Sequence, residues 1–85
     1  MELAGKRLLV LEDEYLIGLE LERIVEECGA QSVQTVSTIE QLMEQIAGEA
    51  GFDIAILEVE ARGIPSFTAA ALLRARGIPL LFTSA

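Results

Sequence analysis

Positive charge is what this sequence lacks most. It has no histidine, and lysine and arginine together number 6 against 14 aspartates and glutamates, a formal net charge of -8. Nucleic-acid binding draws on a basic stripe that neutralises phosphates. The deficit therefore excludes nucleic acid as a direct partner, and an anionic membrane surface with it. A divalent cation or a basic protein patch is the better match. Cys28 is the one cysteine, which excludes an internal disulfide and leaves nothing that points to an oxidising compartment. It reads as a small buried hydrophobe near a helix end. No apolar run approaches the roughly 20 residues of a membrane span. The opening "MELAGKRLLVLEDE" holds only a short apolar run interrupted by acids, which is no signal peptide. Internal repeats and low-complexity segments are absent as well. The expectation from these absences is a soluble, cytoplasmic protein.

What the sequence has in plenty is apolar side chain, 52% of 85 residues. The length allows one domain, residues 1–85, smaller than the usual ~100–150 residues. A particle of this size hides only a modest part of its surface. Some of the apolar surface is therefore expected to be covered by another chain.

Strand-like and helix-like pieces alternate throughout. "RLLVL", Arg7 to Leu11, is a continuous apolar run, as in a strand buried on both faces. From about Glu14 to Cys28, the residues Ile17, Leu21, Ile24, Val25 and Cys28 recur at helical spacing. Asp13 can cap that helix and Gly29 can stop it. "QSVQTV", Gln31 to Val36, alternates polar and apolar like a strand near an edge. "STIE", Ser37 to Glu40, reads as a capping box, opening a helix with Ile39, Leu42, Met43 and Ile46 that ends near Gly48. "FDIAILEV", Phe52 to Val59, is a second buried strand. "EARGIPS" reads as a loop closed by Ser66 as N-cap, Phe67 to Arg76 as a small-residue helix stopped by Gly77, and Leu80 to Phe82 as a last strand. The order β-α-β-α-β-α-β, with room for one helix per crossover, predicts an α/β fold: a parallel sheet with right-handed connections and helices on both faces.

Ligands in such folds sit beyond the carboxyl ends of the strands, at the switch in strand order. Those ends deliver Glu12 and Asp13, then Glu58, then Thr83 and Ser84. Three carboxylates converging on one rim repel one another and call for a divalent cation, a cationic partner or a proton. Hard oxygen donors suit Mg2+ or Ca2+ over zinc.

"RLLVLEDEYLI", "FDIAILEVE" and "GIPLLFTSA", in that order, resemble the receiver domain of response regulators in two-component signalling, and the resemblance runs the length of the chain. It implies a flavodoxin-like sheet in the order 2-1-3-4. It implies Glu12 and Asp13 as Mg2+ ligands, with a backbone carbonyl from Glu60 added. It puts Glu58 where receivers carry the aspartate that accepts a phosphoryl group from a histidine kinase. Thr83 falls at the hydroxyl that contacts the phosphoryl group and carries the switch. The departures are equally specific. Glu58 carries its carboxylate one methylene further out than aspartate, off the in-line geometry of phosphoryl transfer. The sequence stops at Ala85, before the fourth helix, fifth strand and fifth helix of a receiver, and so before the fifth-strand lysine and aromatic. Lys6, ahead of the first strand, lies at the opposite rim.

The expectation is a non-catalytic, phosphorylation-independent signalling module and no enzyme. Glu12, Asp13, Glu58 and Glu60 would hold Mg2+ weakly and dispensably. The partners implied are a histidine kinase, a phosphotransfer protein or another regulator. An uncharged apolar edge at "PLLFTS" invites pairing, and burying Leu80, Leu81 and Phe82 is worth roughly 1.5–3 kcal/mol each. A homodimer across a two-fold axis follows, with the missing amide of Pro79 limiting pairing to later residues. Absence of a fifth helix would also uncover the sheet face beside the first helix. Tyr15, Leu16 and Leu19 on that helix form a second expected interface, on the element where kinases and phosphotransfer domains dock in receivers. Glu20 is polar where a fifth helix would cover an apolar side chain, which fits a chain built without one. Two alternatives stand beside this reading: a phospho-acceptor whose site a partner chain completes, and a fragment of a longer receiver.

Overall fold

Arg7–Leu11 forms β1 and Ile54–Glu58 forms β3, and their burial decides the architecture. Leu8, Leu9, Val10 and Leu11 are all closed off from solvent, as are Ala55 and Leu57, so helices must cover the sheet on both sides. A computed structural model of the chain describes residues 3–49 and 51–84. The remaining elements are α1 (Tyr15–Glu27), β2 (Ser32–Val36), α2 (Ile39–Ala47), β4 (Glu60–Ala61), β5 (Ile64–Pro65), α3 (Phe67–Ala75) and β6 (Leu80–Thr83). The main sheet runs β2-β1-β3-β6, every pair parallel. This is the expected 2-1-3-4 order, with β6 as the fourth strand.

Alternation along the strands divides the core in two. Leu9, Leu11, Ala55 and Leu57 meet Leu42 and Ile46 of α2 and Ala69, Ala70 and Leu73 of α3. On the opposite face Leu8 meets Leu3 and Val25 of α1, with Ile54 and Ile56 packed alongside. Both glycine stops act as expected. Gly29 and Gly77 take positive φ (96° and 75°), and each helix closes with a paired set of bonds. Gly29 N donates to Glu26 O and Ala30 N to Val25 O, while Gly77 N donates to Arg74 O and Ile78 N to Leu73 O.

Several local expectations are corrected. The core stripe of α1 is narrower than its periodicity, since Gly18 and Val25 are buried but Ile17 and Ile24 are exposed. The capping box sits one residue later than "STIE". Thr38 is the N-cap and its Oγ1 accepts from Gln41 N at 3.1 Å, while Gln41 Oε1 accepts from Ser37 N at 2.9 Å. Ser66 is the N-cap residue of α3, but its buried hydroxyl donates back to Glu58 O and makes no cap bond. "EARGIP" is a two-strand hairpin. β4 and β5 pair antiparallel around Arg62 and Gly63, both at positive φ (53° and 81°), the geometry of a two-residue type I′ turn. Pro79 does not limit the open edge. Pro79 O accepts from Ala55 N and Thr83 O from Val59 N, so Pro79, Leu81 and Thr83 direct their backbone groups at β3. Leu80, Phe82 and Ser84 direct theirs outward.

Candidate functional site

The site lies where β1, β3 and β6 end. Glu12 N donates to Val36 O at 2.9 Å, which keeps Glu12 in the sheet for one residue beyond β1 and holds its side chain buried. Glu12 Oε2 accepts from Glu14 N at 3.1 Å. Asp13 does not cap α1: the N-cap is Glu14, without a side-chain cap bond, and Asp13 Oδ2 instead accepts from Arg62 N at 2.9 Å. Asp13 N donates to Glu58 Oε1 at 2.8 Å. Loop, strand end and hairpin are therefore stitched together through Asp13.

Carboxylate oxygens of Glu12, Asp13 and Glu58 all lie within 4.8 Å of one another. Glu58 is buried, and its removal from water is the main reason its acidity falls. The Asp13 amide favours its ionised form, but the charges of Glu12 and Asp13 and a hydrogen bond with Glu12 oppose ionisation, and its pKa is raised to about 7. A divalent cation would relieve that repulsion, and an all-oxygen donor set fits a hard one. Glu12, Asp13 and Glu58 are the residues that could hold it.

The other expected residues are placed less tightly. Thr83 stands beside Glu58 in the β3–β6 register, and Glu60 is exposed on β4. Both line one open cleft with Asp13, Glu58 and Arg62, but the Glu60 carboxylate does not belong to the three-carboxylate cluster. The expected interface residues do not form one surface. Tyr15 and Leu19 line a second cleft with Thr35 and Val36 of β2, and Leu16 is exposed further round the same helix. Leu80 packs on the α2–α3 core. Phe82 sits on that face too, its ring edge-on to Phe67 at 5.7 Å, and Leu81 points to the opposite face. Glu20 is exposed and pairs with Arg23.

Arg62 is the residue that sequence reasoning missed. It lines the acidic cleft and donates its amide to Asp13. The signal for it was the Arg-Gly pair, a two-residue turn directly after a strand that ends in the site.

No family model matches the sequence, and no curated protein matches it. Among solved structures the chain is similar to the BeF3-activated conformation of SdrG from Pseudomonas melonis Fr1. The two are 38% identical with a TM-score of 0.76, over 93% of this chain and 67% of that one. The chain belongs to the response-regulator receiver family. A response regulator receiver protein from Sinorhizobium medicae WSM419 has a TM-score of 0.86 at 20% identity, over 94% of this chain and 66% of that one. The receiver domain of the histidine kinase CKI1 from Arabidopsis thaliana, complexed with Mg2+ and BeF3-, has a TM-score of 0.80 at 15% identity, over 96% and 67%. The chain thus spans about two thirds of the length of these receivers. Among the described residues no helix is long and apolar enough to cross a membrane.

Proposed function

We propose that the chain is a receiver-like signalling module that works without phosphorylation. It acts as a single domain of residues 1–85, non-catalytic, homodimeric and cytoplasmic, through contacts with a histidine kinase, a phosphotransfer protein or another regulator. The observation that carries this reading is the bond from Asp13 N to Glu58 Oε1. The carboxylate at the acceptor position is tied to the neighbouring loop and displaced outward by one methylene. Phosphoryl transfer depends on a near-attack geometry that such a displacement spoils.

Incubation with acetyl phosphate and Mg2+, followed by intact-mass measurement, tests this. The expected mass is unchanged. A stable adduct of one phosphoryl group that Glu58→Gln abolishes would overturn the reading.

Mg2+ is a separate matter. Glu12, Asp13 and Glu58 would hold it, with the backbone carbonyl of Glu60 as a further donor. What it supplies is neutralisation of three facing carboxylates, and the chain's own residues set the pocket. Binding is weak and dispensable for folding. Calorimetric titration of Mg2+ into wild type and Asp13→Asn measures it.

A further inference from the structure

The β4–β5 hairpin is too small to hold itself. It pairs two residues with two, and a two-stranded hairpin on its own is marginal in water. Its turn is strained as well. Arg62 takes φ 53°, a left-handed conformation that a side chain disfavours. Such strain persists where the surroundings fix it. From Glu60 to Pro65 only Ala61 is buried, against the α2–α3 core. At the base of the hairpin, Ser66 N donates to Val59 O. At its apex, Arg62 N donates to Asp13 Oδ2 at 2.9 Å. That apical bond crosses 49 positions of sequence and ties the turn to the three-carboxylate site.

Asp13 gains from this bond as much as the hairpin does. Its side chain is half-buried, and its carboxylate stands within 4.8 Å of those of Glu12 and Glu58. Like charges at that distance repel, and a half-buried side chain relieves the repulsion by turning out to water. The bond from Asp13 N to Glu58 Oε1 fixes the backbone of Asp13 but not its side-chain rotamer. The Arg62 amide holds the carboxylate itself. An ionised carboxylate has two oxygens and about four lone-pair sites, so one amide bond leaves room for a cation. Hydrogen bonds of this kind orient a ligating carboxylate and tune the metal it holds.

We infer that the hairpin and the cation site are one coupled unit: the Arg62 amide positions Asp13 as a ligand, and the hairpin is held more firmly when the site is filled. The coupling has the same size in both directions. It runs through the backbone of Arg62 and not through its side chain. The exposed run from Glu60 to Pro65 is then a surface whose order reports whether the site is occupied. The inference rests on the proposal that Glu12, Asp13 and Glu58 hold Mg2+, and it is independent of whether Glu58 accepts a phosphoryl group.

Gly63→Ala isolates the hairpin's part. Gly63 has φ 81°, and nothing stands within 4 Å of an added Cβ, so the substitution strains the turn and touches no ligand. The full chain, isotope-labelled, is titrated with Mg2+ alone at a pH above about 7, where Glu58 is ionised. In wild type, Mg2+ is expected to shift the resonances of Glu12, Asp13 and Glu58, to shift those of Arg62 and Gly63 with them, and to slow exchange of the Arg62 amide. Gly63→Ala, with its circular dichroism and cooperative melting retained, is expected to bind Mg2+ about tenfold more weakly. Arg62→Asn tolerates the left-handed turn and keeps the amide, and is expected to bind at least as tightly as wild type. Shifts at the three carboxylates with Arg62 exchange unchanged overturn the inference and leave the Mg2+ site standing. Equal affinity in wild type and Gly63→Ala does the same. So does a loss in Arg62→Asn as large as that in Gly63→Ala, which would put the link in the side chain. No shift at Glu12, Asp13 or Glu58 in wild type removes the Mg2+ site and the inference together.

Discussion

Glu58 titrates at about 7 in the folded chain against an ordinary 4.5, and this ties stability to pH in a definite direction. Its folded pKa is raised, so the folded state holds the proton more tightly than the unfolded state does. The contribution is fully present below about 4.5 and is lost as pH rises through about 7. In chelator, the melting temperature is therefore expected to fall between pH 5 and pH 8, and Glu58→Gln is expected to flatten that limb. Adding Mg2+ at pH 8 should recover part of the loss in wild type and less in Asp13→Asn. Asp53 works in the other direction. The Arg7 side chain and amide hold its carboxyl below the ordinary 3.8, so its contribution is present above that value and disappears as pH falls through the lowered one. Asp53→Asn is thus expected to lower the melting temperature at every pH above that value and to flatten the acid limb, where Glu58 is already protonated. Glu58 itself was legible in the sequence as an acid at a strand end. Its bond to Asp13 was not, because it joins residues 45 apart and no local pattern encodes it.

The elements separate two kinds of signal. Four strands and three helices were readable from apolar runs, helical spacing and glycine stops, since each of those is written within a few neighbouring residues. The hairpin of β4 and β5 was not, because its turn uses Arg62 at φ 53° where asparagine or aspartate would have announced it. The cap of α2 shows the same limit. Ser37 and Thr38 are both capping residues, and only the geometry chooses between them. Thr38→Ala is expected to cost about 1 kcal/mol in urea unfolding, and Ser37→Ala clearly less, because the Ser37 amide keeps its bond to Gln41. The reverse order would put the cap back at Ser37. Ser66 carries more. It is fully buried and donates to Glu58 O and Val59 O, joining the end of β3 to the start of α3. Ser66→Ala takes the hydroxyl donor from the buried Glu58 carbonyl, while Val59 O keeps the Ser66 amide, and is expected to cost about 1–3 kcal/mol. Ser66→Cys, which retains a weak donor, should cost less.

The proposed dimer would depend on which backbone groups β6 turns outward. Pro79 reads in the sequence as a block to pairing, but its missing N–H would have faced β3, where Pro79 O already accepts from Ala55 N. The outward set is Leu80, Phe82 and Ser84, and among the described residues nothing pairs with it. Proline substitution along β6 and the residue after it therefore gives two opposite results. Leu80→Pro and Ser84→Pro remove outward donors and no bond to β3, although Leu80→Pro also takes a side chain from the α2–α3 core and lowers the melting temperature. They are expected to leave the melting transition cooperative while light scattering falls from the mass of two chains to that of one. Leu81→Pro removes a donor that faces β3 and is expected to destabilise the chain itself, whatever its state of assembly. Wild-type protein at the mass of one chain across the accessible concentration range would rule out edge pairing. Dimer retained in both Leu80→Pro and Ser84→Pro would move the interface away from β6, onto the Tyr15–Leu16–Leu19 side of α1, where Leu16→Glu is the variant expected to dissociate it.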